Sequence, residues 1–305
     1  MIMEEKIVNN CGTELYTDSI GIGPAIIFCD GLGCDGYAFK YLRYALAKNY
    51  KTIYWNYRGH GRSAEPTNKE RFTINSFRHD LLTIMNEYKL ASAIFIGYSM
   101  GSMIALDFAA FYPNKVKFII SICGSYGEPL NTPHSSLFLS LFSCAQKLAA
   151  FNPELVKQVW GITTRFKLVH LGITLFETNR RLVRFADFAP YFNHLKHMDA
   201  NAFVWTLKMA QEYSVEEHLK EISCPTLIVA AEKDNLVPIN ASKHMAQIIP
   251  NAQLFVMRDC SHAAPIEMPE LLELRVDKFL RDNGAENLKK ALYGCSFINY
   301  YSKGV

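Results

Sequence analysis

No run of five or more basic residues occurs in this chain, and its 32 Lys and Arg stand against 29 Asp and Glu, a formal net charge of +3. Recognition of nucleic acid or of an anionic surface by bulk charge is therefore not expected. Its eight cysteines form no C-x-x-C pair and no zinc pattern, so neither a metal nor a redox centre is expected. Met1 to Asn10 has no charged stretch followed by an apolar one, and the thiols read as reduced, in a cytoplasmic protein. The longest apolar stretch, Ser135 to Phe151, is broken by Ser140, Ser143, Gln146 and Lys147, which leaves it too polar and too short to span a bilayer. Gly31 and Gly33 lack a third glycine opening a helix and an acid at ribose-binding distance, so a dinucleotide site is not expected.

What the chain does have is apolar content. Half of its 305 residues are apolar and a fifth are charged, enough for a sizeable core in one large domain with an insertion. Short β-type runs alternate with segments of helical period, which predicts a mostly parallel sheet with right-handed crossovers. Strands are expected at Ala25–Cys29, Lys51–Tyr57, Ser92–Ile96, Val116–Ile122, Thr226–Ala230 and Gln253–Met257. Helices are expected at Ala38–Lys48, Ile74–Tyr88, Met100–Tyr112, Ile239–Ile248 and Glu267–Leu280.

Gly97-Tyr98-Ser99-Met100-Gly101 joins one of these strands to a helix. A serine there occupies a strained turn, and its neighbours must be nearly free of side chain for strand and helix to approach. A neutral hydroxyl is a poor nucleophile and needs a base, and the base needs an acid to orient it. Asp234 follows the run Thr226 to Ala230, and His262 follows Gln253 to Met257. All three thus sit past carboxyl ends of strands, where open parallel sheets gather their chemistry. Glu128 is the rival acid. The other eight histidines lie in helical stretches or, for His60, in a glycine turn.

With Asp30-Gly31-Leu32-Gly33 after one strand and Arg58-Gly59-His60-Gly61-Arg62-Ser63 after the next, the chain resembles the α/β-hydrolase family from about Glu14 to about Leu280. The resemblance implies an α/β fold with a mostly parallel central sheet flanked by helices and an inserted helical cap. It also implies an oxyanion hole made by the backbone N–H groups of Leu32 and Met100. Asp30 stands where the family usually has His; it is expected to point away from the hole and to accept backbone N–H bonds within the loop. Epoxide hydrolases and haloalkane dehalogenases of the family use Asp at the nucleophile position, where this chain has Ser99.

The expected organisation is a core over residues 1–126 and 221–282, a cap over 127–220 and a tail over 283–305. Aromatic and aliphatic residues crowd the cap, which predicts an apolar pocket able to prefer medium or long acyl chains. Phe138, Leu141, Phe142, Trp160 and Trp205 are the expected substrate contacts. The predicted function is hydrolysis of carboxylic esters with an apolar acyl or alcohol part, through Ser99, His262 and Asp234, with no cofactor. Rival readings are a carbon–carbon bond hydrolase holding a substrate carboxylate with Arg165, Arg180, Arg181 or Arg184, a thioesterase or acyltransferase, and a hydrolase-like receptor.

Overall fold

Eight strands form one sheet in the order β1-β2-β4-β3-β5-β6-β7-β8. The computed structural model describes residues 2–68, 71–127, 136–183, 185–285 and 287–288, and of residues 136–142, 175, 176 and 185 the backbone alone. The strands are β1 (Met3–Asn10), β2 (Thr13–Ile20), β3 (Ala25–Cys29), β4 (Lys51–Trp55), β5 (Ala93–Tyr98), β6 (Val116–Ile122), β7 (Thr226–Ala231) and β8 (Ala252–Met257). The pairs β1·β2 and β2·β4 are antiparallel and all the others parallel.

The six strands read from apolar runs are present with ends shifted by at most two residues, and two more precede them. β1 and β2 form a hairpin that the apolar pattern did not reveal. Cys11 and Gly12 close it with φ of 51° and 83°, the left-handed pair that a two-residue hairpin loop needs. β1 is an edge strand with most of its side chains exposed, and β2 buries Thr17, Asp18 and Ser19, so neither carries a hydrophobic run.

The central strands are buried on both faces, which is why they are continuous apolar runs. Along β3, Ile26 and Phe28 join one core with Ile94, Ile96 and Phe279, while Ile27 and Cys29 join the other with Phe95, Met103 and Phe108. That alternation is the two-residue period of a strand. Helices α1 (Lys40–Leu46), α2 (Ile74–Glu87) and α3 (Met100–Phe111) follow β3, β4 and β5. Between β6 and β7 come α4 (Ser136–Phe151), α5 (Pro153–Thr163), α6 (Lys167–Glu177), α7 (Phe185–His197) and α8 (Ala200–Glu212). This helical stretch is closed at its base by a bridge between Gly127 and Ser214. The chain then completes the core with α9 (Ile239–Ile248), α10 (Ala264–Glu267) and α11 (Pro269–Asp282).

The chain runs from β3 to β4 on one side and then returns to place β5 on the other side of β3. The loops after β3 and β5 therefore diverge and leave a crevice at the carboxyl ends of the strands. No helix among the described residues is long and apolar enough to cross a membrane, and no group of metal-ligating side chains occurs among them.

Candidate active site

Ser99 links β5 to α3 with φ 52° and ψ −121°, a conformation that costs a non-glycine residue of order 1–3 kcal/mol. The surrounding glycines make it possible. A Cβ on Gly97 would stand 2.5 Å from the carbonyl oxygen of Gly101, and one on Gly101 would overlap the backbone carbonyl of Cys29. β5, α3 and β3 meet at these two positions closer than any side chain allows. The Ser99 amide donates to the carbonyl of Ile122 on β6 at 3.0 Å, which ties the turn to the neighbouring strand.

His262 and Asp234 converge on this serine. The Ser99 hydroxyl lies 3.0 Å from His262 Nε2, and His262 Nδ1 lies 2.8 Å from Asp234 Oδ2. The other carboxylate oxygen of Asp234 accepts the amides of Leu236 and Val237 at 2.9 and 2.8 Å, so both oxygens have donors and the plane of the carboxylate is fixed. The His262 ring is buried, 3% exposed. Burial opposes its protonation, but Asp234, with Glu177 and Glu267 farther off, outweighs that and holds the imidazole above its ordinary range. Glu267 anchors the histidine loop by accepting the Ser261 amide at 2.7 Å.

Leu32 and Met100 line the same cavity as Ser99 and His262. Met100 opens α3, so its amide lacks an intrahelical acceptor, and neither it nor the Leu32 amide donates to an acceptor among the described residues. Asp30 turns away into the loop. Its Oδ1 accepts the Gly31 amide at 2.8 Å, and its Oδ2 accepts the Gly36 amide at 2.7 Å and the Tyr54 hydroxyl at 3.1 Å. Burial raises this carboxyl to about 6, against the pull of those three donors.

The cavity over Ser99 measures about 120 Å³. α8 supplies one wall through Phe203, Leu207 and Ala210, spaced i, i+4, i+7 along one helix face. Trp205 is two positions from Phe203, some 200° around the helix, and lies outside this wall, lining a separate cavity with Phe72 and Thr73. Trp160 is likewise one layer back: its indole N–H donates to the Leu195 carbonyl at 2.8 Å and its ring packs on Phe203. Of the expected substrate contacts, Trp160 and Trp205 do not line the cavity, whereas Phe203 and Leu207 do. The side chains of Phe138, Leu141 and Phe142 lie outside the described residues, as do Glu128 and Arg184. Arg165, Arg180 and Arg181 are exposed, and none of them lines the cavity.

One lining residue, Glu177, went unrecognised in the sequence. It ends α6, and its backbone carbonyl receives the Ala263 amide at 3.2 Å and stands 2.7 Å from the Ser261 hydroxyl. The two residues flanking His262 thus hold the end of α6 at the cavity. Burial raises the Glu177 carboxyl to about 7, with His262 pulling the other way. The one signal in the sequence was an acid closing the otherwise largely apolar segment Leu171-Gly172-Ile173-Thr174-Leu175-Phe176.

A family model described as the alpha/beta hydrolase fold matches residues 24–269. "Bifunctional epoxide hydrolase 2" of Sus scrofa is 25% identical over 294 residues, covering 85% of this chain and 51% of that protein. "Putative carbamate hydrolase RutD" of Caulobacter sp. (strain K31) is 25% identical over 284 residues, covering 93% and 100%. The chain thus spans about half the length of the epoxide hydrolases it matches and the whole of the RutD relative. Among solved structures, the enol-lactonase of Burkholderia xenovorans LB400 superimposes with a TM-score of 0.73 at 20% identity, covering 91% of this chain and 100% of that one. The eight-stranded sheet, its strand order and the matched span together establish that this chain belongs to the alpha/beta hydrolase fold family.

Proposed function

We propose that this protein is a serine hydrolase of small carboxylic esters, working through an acyl-enzyme on Ser99. The observation that carries the reading is the unbroken line of hydrogen bonds from Asp234 through His262 to Ser99, ending at a cavity. Ser99 Oγ attacks the ester carbonyl carbon as His262 Nε2 takes its proton, and the carbonyl π pair moves to oxygen. The amides of Leu32 and Met100 receive that oxyanion. The tetrahedral carbon then expels the alcohol, which takes the proton from His262, and water repeats the sequence to release the acid and free Ser99. Asp234 holds the imidazole with Nδ1 protonated and stabilises the imidazolium formed in each half-reaction. No step calls for a cofactor.

The residues 127–220 act in this reading as a cap, since Phe203 and Leu207 wall the cavity above Ser99. The cavity beside Ser99 measures about 120 Å³, so the acyl group held there is short, not the medium or long chain that the apolar cap suggests. A carbon–carbon bond hydrolase reading loses its cationic anchor, because no Arg or Lys is among the described residues lining the cavity. With its cysteines read as reduced thiols, the protein would act in the cytoplasm.

The test is turnover of p-nitrophenyl esters of graded acyl length together with a fluorophosphonate probe. Acetate and butyrate esters are expected to give a burst and steady turnover that fall with longer chains, with the label on Ser99. Ser99→Ala is expected to lose about 10⁶ in turnover. No burst and no label on Ser99 would overturn the reading.

A further inference from the structure

Four aromatic rings, Tyr37, Tyr98, Tyr191 and Phe203, and one carboxyl group, Glu177, line the cavity over Ser99, and no Arg or Lys is among the described lining residues. Two pairs of lining rings are in contact: Tyr37 and Tyr191 have centroids 5.4 Å apart, and Tyr98 lies 5.3 Å from the His262 ring. Aromatic faces carry negative potential and attract cations, most strongly where water is excluded. The Glu177 carboxyl among them adds charge of the same sign once it is ionised, which burial defers to about pH 7. An organic ammonium set against the ring faces and beside the ionised Glu177 would be attracted by both, whereas an anion there would be repelled by Glu177.

Glu177 is also fixed in place. Its backbone carbonyl is held by Ser261 and Ala263, so the end of α6 is fastened to the histidine loop. No hydrogen bond to the Glu177 carboxyl oxygens occurs among the described residues, while the other buried acids nearby are satisfied: Asp234 by two amides and His262, Glu267 by Ser261 and Asn179, Asp30 by Gly31, Gly36 and Tyr54. Of these four acids only Glu177, which lines the cavity, has a carboxyl unpartnered among the described residues, and burial raises it to about 7. A cation arriving beside it would draw off the proton and complete the pair.

We propose that Glu177 and the rings of Tyr37, Tyr98 and Tyr191 form a subsite for an organic ammonium group, so that the preferred ester carries a positive charge a few bonds from the scissile carbonyl. This rests on the ester-hydrolase reading for its substrate, but the subsite itself binds a cation whether or not an ester is cleaved.

Two measurements test it. The acetate esters of choline and of 3,3-dimethylbutanol have the same shape and differ by nitrogen for carbon. Wild-type protein is expected to show a kcat/KM at least about tenfold higher for the choline ester, carried by KM. Glu177→Gln is expected to collapse that ratio toward one. Preference for the neutral ester, equal use of both, or a fall of equal size for both in Glu177→Gln would overturn the subsite, the last result making Glu177 a positioning residue for His262. Independently, Ser99→Ala protein is titrated with tetramethylammonium chloride in a calorimeter against sodium chloride. Saturable binding that weakens about tenfold or more on adding Glu177→Gln is expected. Absence of binding sinks the subsite even if esters are turned over, and binding without ester turnover sinks the ester reading while keeping the subsite.

Discussion

The phenol of Tyr98, the residue before Ser99, donates a hydrogen bond at 3.1 Å to the backbone carbonyl of His262. Both groups are buried. The strand that presents the serine thereby also sets the height of the loop that presents the histidine, 164 residues farther along the chain. Tyr98→Phe keeps the ring and leaves the His262 carbonyl without its donor. It is expected to cost about 1–2 kcal/mol of stability in a denaturant titration. It should also lower kcat more than it raises KM, because His262 loses its position rather than the substrate its contacts. An unchanged kcat would show that the loop is held without Tyr98.

Gly101 makes a second prediction, about shape alone. Its ideal Cβ overlaps the Cys29 carbonyl, and backbone on both sides cannot yield as a side-chain tip would. Gly101→Ala is expected to destabilise the fold by about 3 kcal/mol. Protein that does fold should no longer react with a fluorophosphonate, since α3 must move away from β3 and carry Ser99 and Met100 with it. Thermal unfolding and labelling of the soluble fraction check both halves.

These two residues also mark what the sequence could and could not disclose. Gly97, Ser99 and Gly101 were readable because a strained turn admits few residue types and the demand is local. Val116–Ile122 and Ile239–Ile248 were readable to the residue, since each is bounded by a turn or a proline. The hairpin of β1 and β2 was not, because an edge strand exposes its side chains and β2 buries Asp18 against Arg43, a partner supplied by a distant helix. Glu177 was hidden for the same reason: its place beside His262 is made by the docking of α6 on Ser261 and Ala263, which no short pattern encodes. That Trp160 and Trp205 stand outside the cavity lining was not legible, because composition tells that a helix is apolar and not which face meets the cavity.

The histidine gives a pH prediction. Ser99 needs His262 neutral to take its proton, and the imidazole is held above its ordinary value of 6.5: burial works against this and the Asp234 carboxylate more than compensates. The acid limb of kcat/KM for a neutral ester is therefore expected to bend above pH 6.5. Asp234→Asn removes the strongest upward pull, so the bend moves to lower pH while kcat falls by about 10⁴. A bend that stays in place in Asp234→Asn would assign it to another group.

Asp30 supplies the last prediction, through stability and not rate. Its carboxyl is raised to about 6 by burial, against the three donors that reach it, whereas an unfolded chain leaves an aspartate near about 3.9. The folded state therefore binds this proton more tightly than the unfolded one. The sign follows: as pH falls from above 6 toward 4, protonation of Asp30 favours the fold, and as pH rises through 6 that contribution is lost, by of order 1–3 kcal/mol. Asp30→Asn has no proton to take up. The stability of wild type minus that of Asp30→Asn is thus expected to grow on acidification from pH 7 to pH 4.5, measured by urea titrations at each pH. A difference that shrinks over this range would mean that Gly31, Gly36 and Tyr54 hold the carboxylate more strongly than burial opposes it, and that the loop carrying Leu32 is built on a charge.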